Sequence, residues 1–198
     1  MLTIEIIAAL SGVLGVFMII RQCIWGWPIG IVGVILYAYI LFDAKLYSGV
    51  LLNIAYVFLN GYCWYSWLRQ DQSGQQASAQ VKKLSYKQIV ILLISVTSLS
   101  GIVGYYMGTY SDADFPLWDA VILILSLMSQ TLLANRYIAA WYGWILVNIL
   151  SIGLYWTKML YPTMILYGIY LVLAILGILQ WQKSYREQRT QLATSSTL

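Results

Sequence analysis

Seven apolar runs of about twenty residues each constrain the fold of this chain more than any other feature. They lie near residues 4–20, 24–42, 46–67, 88–108, 115–134, 137–157 and 161–181. A helix needs about 20 mostly apolar residues to cross the hydrocarbon core of a bilayer. The runs lack the alternation of barrel strands and are about twice as long as such strands. The sequence therefore predicts an all-α integral membrane protein with seven transmembrane helices.

The composition agrees with a membrane protein and leaves little material for metal chemistry. Charged residues make up 9% of the chain, against roughly 25% in an ordinary soluble domain. The chain has two cysteines and no histidine, so we expect no zinc, haem or iron-sulfur site and no other cofactor. Glu5 and the absence of a basic start predict that the first run is a retained helix and not a cleaved signal peptide.

The distribution of lysine and arginine predicts the orientation in the membrane, because cytoplasmic loops carry the excess of both. If the N-terminus is outside, nine basic residues fall on the inner side and only Lys45 and Lys158 on the outer side. The inner set is Arg21, Arg69, Lys82, Lys83, Lys87, Arg136, Lys183, Arg186 and Arg189. The prediction is N-out and C-in. Because this asymmetry accounts for the net charge of +4, no nucleic-acid partner is expected.

An internal repeat is the second organising feature. Glu5, Tyr56 and Trp67 each lie 114 positions before a residue of like character, Asp119, Tyr170 and Trp181 respectively. The dipeptide at 26–27 matches that at 143–144 at an offset of 117, which predicts a three-residue insertion between the second and third helices. Transporters are often built from such repeats, with the solute site near the bilayer midplane between them.

The predicted organisation is a 3+1+3 arrangement of parallel repeats. It consists of a first three-helix repeat at 1–69, a polar loop plus linker helix at 70–114, a second three-helix repeat at 115–186, and a cytoplasmic tail at 187–198.

The sixth run carries the clearest candidate for solute binding. Trp141, Trp144 and Asn148 stand at i, i+3 and i+7, and therefore on one face of a helix. Two indoles can hold a flat heterocycle, and an amide offers its edge both a donor and an acceptor. The alternative is an interfacial aromatic belt with an asparagine that joins two helices.

The third run repeats this pattern with Asn53, Tyr56 and Asn60, followed by Trp64. An unsatisfied amide inside a bilayer costs several kcal/mol, so both amides are predicted to face the bundle interior. They bind solute in one interpretation and hold neighbouring helices together in the other.

The fifth run has a polar face formed by Asp119, Ser126 and Gln130, at i, i+7 and i+11. Asp119 could attract a cationic solute to the outer mouth, or it could simply interact favourably with the dipole of the helix that it begins. Both interpretations stay open.

Enzyme motifs are absent from the sequence. It contains no P-loop, no Gly-x-Ser-x-Gly and no His-Glu-x-x-His. A proton relay would need more titratable groups inside the membrane. The chain is therefore predicted not to be an enzyme, and uniport is the simplest transport mechanism.

Three segments together resemble the Pnu-type vitamin transporters, the PnuC family. They are FPLWDAVILILS at 115–126, NRYIAAWYGWILVNILS at 135–151 and LYSGVLLNIAYVFLNGYCWYSW at 46–67. The resemblance implies a fold related to the SWEET sugar transporters, a homotrimer in the bacterial inner membrane, facilitated diffusion of a small-molecule vitamin, and trapping by a cytoplasmic kinase. It also implies substrate contacts at Trp118, Asp119, Trp141, Trp144, Asn148, Asn60 and Trp64.

Departures from the family pattern bear on the substrate. Nicotinamide riboside transporters tend to have glutamine where this chain has Asn53, and Glu-Asn where it has Ala139 and Ala140, and Gln130 stands in a place that is usually apolar. These differences favour thiamine and the PnuT-like branch, since thiamine is a flat cation suited to tryptophan faces and to Asp119. Nicotinamide riboside, also a flat cation, is the alternative.

Two further alternatives belong to other classes. One is a membrane scaffold or receptor subunit that carries nothing and uses its asparagines for helix packing. The other is a SWEET-like sugar carrier, which sugars and not flat heterocycles would inhibit.

Overall fold

Seven α-helices make up nearly all of the chain that the computed structural model describes, namely residues 2–43, 47–72, 80–111 and 114–195. The helices are α1 (Leu2–Ile20), α2 (Gly26–Asp43), α3 (Tyr47–Gln72), α4 (Tyr86–Tyr110), α5 (Pro116–Ala134), α6 (Ala139–Thr157) and α7 (Tyr161–Ser195). The prediction of an all-helical protein is confirmed. Lys45, which entered the predicted orientation, lies outside the described residues.

Six of the seven helices in the described residues are long and apolar enough to cross a membrane. The exception is α3, which is 26 residues long. Its length suffices for a span, but Asn53, Asn60 and a polar C-terminal end lower its hydropathy. The helix that lacks a sufficiently apolar stretch is therefore the one that carries two of the predicted intramembrane amides.

The first of two compact units, residues 1–80, contains α1 to α3. Its first two helices approach closely. A Cβ atom added at Gly26 would lie only 2.7 Å from the Gly15 carbonyl oxygen, so only glycine fits there. Small residues permit such backbone contact between membrane helices. A turn joins α1 to α2 and contains Gln22 in the left-handed region, with φ 57°. The turn thus reverses the chain within a few residues and sets α1 beside α2.

The second unit, residues 81–198, contains α4 to α7, and its α5–α6 turn has the same backbone as the α1–α2 turn. Arg136, which lies 114 positions after Gln22, has φ 60°. Three of the backbone hydrogen bonds that form the first turn recur at this offset. Gln22 N donates to Ile19 O, as Arg136 N does to Leu133 O. Cys23 N donates to Met18 O, as Tyr137 N does to Leu132 O. Trp27 N donates to Ile24 O, as Trp141 N does to Ile138 O.

A pair of tryptophans in each unit extends this correspondence to the next helix. Trp27 packs edge-on against Trp67 with ring centroids 5.4 Å apart, and Trp141 packs in the same way against Trp181 at 5.5 Å. Both members of the second pair lie 114 positions after their counterparts. The predicted offset of 117 and its three-residue insertion are therefore wrong. The matched dipeptides misled because tryptophan occurs twice, one helical turn apart, in α6, as Trp141 and Trp144, and glycine precedes only the second.

The second unit carries opposite features at its two ends. At one end, Lys82 N donates to Arg136 O at 2.9 Å and Ile138 N donates to Lys82 O at 3.0 Å, which ties the segment before α4 to the α5–α6 turn. At the other end, Lys158 Nζ lies 3.7 Å from Asp114 Oδ2, where α6 ends and α5 begins. Lys82 and Arg136, both predicted for the inner side, therefore lie at one end of this unit, and the Lys158–Asp114 pair lies at the other end.

Candidate solute-binding site

A face of α6 holds two of the polar side chains that the second unit buries. Asn148 is 2% exposed and Ser151, one turn further, is 1% exposed. Trp144 is half-buried one turn before Asn148. Because a buried amide or hydroxyl is costly unless it has a hydrogen-bonding partner, this face suits a polar solute or a polar neighbour.

Trp141, predicted as a substrate contact, lies in the packing between α6 and α7. It is 2% exposed, packs edge-on against Trp181, and its ring lies against Gly177, where no side chain would fit. Its counterpart Trp27 has the same edge-on arrangement with Trp67. The geometry therefore favours helix packing for Trp141 and leaves Trp144, of the two predicted indoles of α6, available to a solute.

Ser151 is a candidate that the sequence interpretation missed. Its hydroxyl oxygen is buried and has no hydrogen-bond partner among the residues that the structure describes. The spacing carried a signal, since Ser151 follows Trp144 by seven positions and Asn148 by three. A serine in a helix is a weak sign of a binding site, because its hydroxyl often bonds to the backbone of its own helix, as Ser126 does to the Ile122 carbonyl at 2.7 Å.

Trp118 connects α5 to α6. Its indole Nε1 donates to the Leu150 carbonyl at 3.1 Å, and a Cβ atom added at Gly153 would lie 3.0 Å from the ring. The polar tip of the indole is therefore already used between the two helices. Around it is an open cleft of about 510 Å³ with mostly apolar walls. Its lining is Asp114, Phe115, Pro116, Leu117, Trp118, Val121 and Leu150.

The other two predicted residues of α5 occupy different environments. Asp119 lies half-buried in the first turn of the helix, and its backbone N–H donates to Phe115 O at 2.9 Å. This position fits the dipole interpretation as well as the solute interpretation. Gln130 is 6% exposed and already has an interaction partner. A role in helix packing would account for a buried glutamine that has a partner. Direct solute contact by Gln130 stays a prediction.

The predicted residues of α3 belong to the first unit. Asn53, Tyr56, Asn60 and Trp64 are all half-buried, and the first three already have interaction partners. One helix places them along its length at three- and four-residue steps. Their convergence with α6 on a single site stays a prediction.

The comparisons with known proteins agree on one family. The family model described as nicotinamide mononucleotide transporter matches residues 2–183. The nicotinamide riboside transporter PnuC of Escherichia coli is 25% identical, with 93% of this chain and 87% of the relative covered. The same transporter of Neisseria mucosa is 29% identical, with 93% and 74% covered.

A solved structure and a more distant relative are also similar to this chain. The crystal structure of the vitamin B3 transporter PnuC superposes with a TM-score of 0.77 at 25% identity, covering 93% of this chain and 82% of that one. The riboflavin/roseoflavin transporter RibM of Streptomyces davaonensis is 20% identical, with 95% and 89% covered. These relatives are transporters and not enzymes. The chain therefore belongs to the nicotinamide mononucleotide transporter family and is a multi-pass membrane transporter.

Proposed function

We propose that this protein carries nicotinamide riboside across the membrane by facilitated diffusion. The observation that carries the proposal is that relatives named nicotinamide riboside transporters match 93% of the chain. These names favour nicotinamide riboside over the thiamine that departures such as Asn53 and Ala139 had suggested. The same comparisons favour a transporter over a scaffold or a receptor subunit.

The α6 face has chemistry that fits this solute. Nicotinamide riboside has a flat cationic ring, a carboxamide and ribose hydroxyls. The half-buried Trp144 offers a π-face, and a desolvated cation–π contact is worth about 2 kcal/mol. The buried Asn148 amide can donate to one polar group of the solute and accept from another, and the Ser151 hydroxyl can add a third bond.

The remaining predicted residues take supporting places in the proposal. Asn53, Tyr56, Asn60 and Trp64 of α3 are proposed as further solute contacts, and Asp119 attracts the cation at the outer mouth. The 114-position register of turns and tryptophan pairs supports the 3+1+3 arrangement of repeats.

Orientation and directionality complete the proposal. The excess of lysine and arginine supports N-out and C-in insertion in the bacterial inner membrane. Phosphorylation of the vitamin by a cytoplasmic kinase would trap it and make uptake directional. The family resemblance is the support for this trapping step and for a homotrimer.

The test is uptake by purified protein reconstituted in proteoliposomes, with radiolabelled nicotinamide riboside and, in a parallel series, radiolabelled thiamine. We expect saturable entry of nicotinamide riboside that excess unlabelled nicotinamide riboside suppresses and thiamine does not. Protein-free liposomes are the control for leakage. Saturable entry of thiamine alone would replace the proposed substrate, and entry of neither by correctly folded protein would favour a scaffold.

A further inference from the structure

The C-terminal end of α7 extends well past its apolar part. The helix is 35 residues long, about 52 Å at 1.5 Å per residue, whereas a bilayer core is about 30 Å thick. The buried Trp181 marks the end of the apolar stretch, and Lys183, Arg186 and Arg189 follow it. This part of the helix therefore presents cations beyond the hydrocarbon.

A groove lies against this extension, which we call the basic groove. It has a volume of about 490 Å³ and is lined by Lys83, Tyr185, Arg186, Arg189 and Thr190. Three of the five lining residues are cationic and none is acidic. The nearest acid on the helix, Glu187, lies 3.9 Å from Lys183 Nζ, which partly neutralises it. The groove therefore has an uncompensated positive charge.

The wall that carries Lys83 is held in place by its backbone. Val81 is 3% exposed, and its N–H donates to Gln188 Oε1 at 3.2 Å. The next residue, Lys82, makes two backbone hydrogen bonds to the α5–α6 turn. The Lys83 ammonium lies 4.7 Å from the centre of the Tyr185 ring, against α7. The segment and the helix thus form a preorganised groove and not a chance approach of two mobile side chains.

The position of the basic groove along the membrane normal follows from both of its walls. On α7, Arg186 comes five residues after Trp181, about 7.5 Å along the axis. On the other wall, Lys83 comes three residues before α4 begins at Tyr86, and the apolar sequence of α4 starts at Ile89. Both walls place the groove in the headgroup layer, where lipid phosphates lie.

We propose that the basic groove binds the headgroup phosphate of an anionic phospholipid. Arginine presents a planar fork of N–H donors that matches two phosphate oxygens at once. Arg186 and Arg189 are one helical turn apart and line the same groove, so both can reach one headgroup. Lys83 contributes a further charge, and the Tyr185 hydroxyl contributes a neutral donor. The Thr190 hydroxyl donates to the Arg186 carbonyl at 3.1 Å and lines the groove without offering its proton to the phosphate.

The experiment is native mass spectrometry of the full-length protein in mixed micelles with equimolar phosphatidylglycerol and phosphatidylcholine. We expect wild-type protein to retain phosphatidylglycerol in preference to phosphatidylcholine. The double variant Arg186→Gln/Arg189→Gln should lose most of this preference, on the order of tenfold, because each basic residue near a lipid surface contributes appreciably to anionic binding. Arg186→Lys/Arg189→Lys, which retains the charges, should retain part of it.

The matched control is Lys87→Gln/Lys183→Gln, which removes the same net charge from the same end of the unit without touching the groove lining. It should keep the preference for phosphatidylglycerol. An equal loss in this control would show a diffuse charge effect and overturn the proposal. Displacement of phosphatidylglycerol by millimolar inorganic phosphate would overturn it in favour of a site for a soluble phosphate.

Discussion

The first unit and the second unit share a packing framework and differ in the polar side chains placed on it. The turn with Gln22 and the turn with Arg136 share a left-handed residue and three corresponding backbone hydrogen bonds. The Trp27–Trp67 pair has the same edge-on geometry as the Trp141–Trp181 pair. The repeated features are therefore those that set one helix beside the next.

Asn60, Asn148 and Ser151 do not repeat. Asn148 and Ser151 of α6 correspond to Val34 and Tyr37 of α2, and Asn60 of α3 corresponds to Ala174 of α7. Each unit thus places its intramembrane amides on a different helix. We expect helix packing to account for what the units have in common, and solute binding to account for where they differ. This division of roles can be tested position by position.

The largest effect is expected at the tryptophan pairs. Trp67→Ala and Trp181→Ala should each lower the free energy of unfolding by about 3–5 kcal/mol, because both side chains are 0% exposed and truncation leaves a large cavity. Thermal unfolding of the detergent-solubilised protein measures this. Trp25→Ala and Trp156→Ala, at positions that are 62% exposed, are the controls and should have small effects. Equal losses at exposed and buried tryptophans would contradict the shared framework.

The next effect separates two corresponding positions on α2 and α6. Asn148→Ala should weaken solute binding by about 1–3 kcal/mol, because it removes a buried hydrogen-bonding group, and uptake at low solute concentration should fall roughly ten- to a hundredfold. Val34→Ala, at the corresponding position, should leave affinity unchanged. Quenching of tryptophan fluorescence by nicotinamide riboside measures affinity. If Asn148→Ala unfolds the protein but the folded fraction binds normally, the amide serves packing alone.

A third comparison distinguishes Trp141 from Trp144. Trp144→Phe should reduce the affinity for nicotinamide riboside by about 0.5–1.5 kcal/mol, since phenylalanine offers a weaker aromatic face. Trp141→Phe should instead lower the melting temperature and keep the affinity, because Trp141 packs against Trp181 and Gly177. Calorimetric binding and thermal unfolding of both variants give the two readouts. The opposite pattern would return Trp141 to the solute site.

The smallest effect concerns the two turns. Gln22→Gly should raise the free energy of unfolding by about 0.5–1 kcal/mol, because glycine adopts the left-handed φ of 57° without strain. Arg136→Gly should not, although its φ is 60°, because that side chain is 4% exposed and its packing would be lost. Unfolding in denaturant compares the two variants. Stabilisation by Arg136→Gly would mean that its buried side chain contributes little.

The sequence predicted the helices well because each one is a long apolar run, and such runs have few alternatives in a bilayer. The predicted offset of 114 between Trp67 and Trp181 agrees with the tryptophan pairs, but the predicted register of the second helix is wrong by three residues. The sequence alone cannot decide whether Trp27 corresponds to Trp141 or to Trp144, since either tryptophan fits the apolar pattern. The turn hydrogen bonds decided between them, because a turn of fixed length admits one register.

The candidate site shows the same limit of sequence interpretation. The spacing of Trp144 and Asn148 correctly placed them on one helix face, which follows from the helical period alone. It could not reveal that the Trp118 indole donates to the Leu150 carbonyl, or that the Ser151 hydroxyl is buried without a partner. Both facts depend on which neighbouring helix lies against each side chain.

By itself, the sequence determined the helical class and the candidate face of α6, because hydropathy and helical periodicity are properties of the chain alone. It also determined the concentration of basic residues in alternate connections. The tertiary structure decided the 114-position register, the packing of Trp141 between α6 and α7, and the basic groove between Lys83 and Arg189. These required contacts between residues distant in sequence, which only the packing of one helix against another creates.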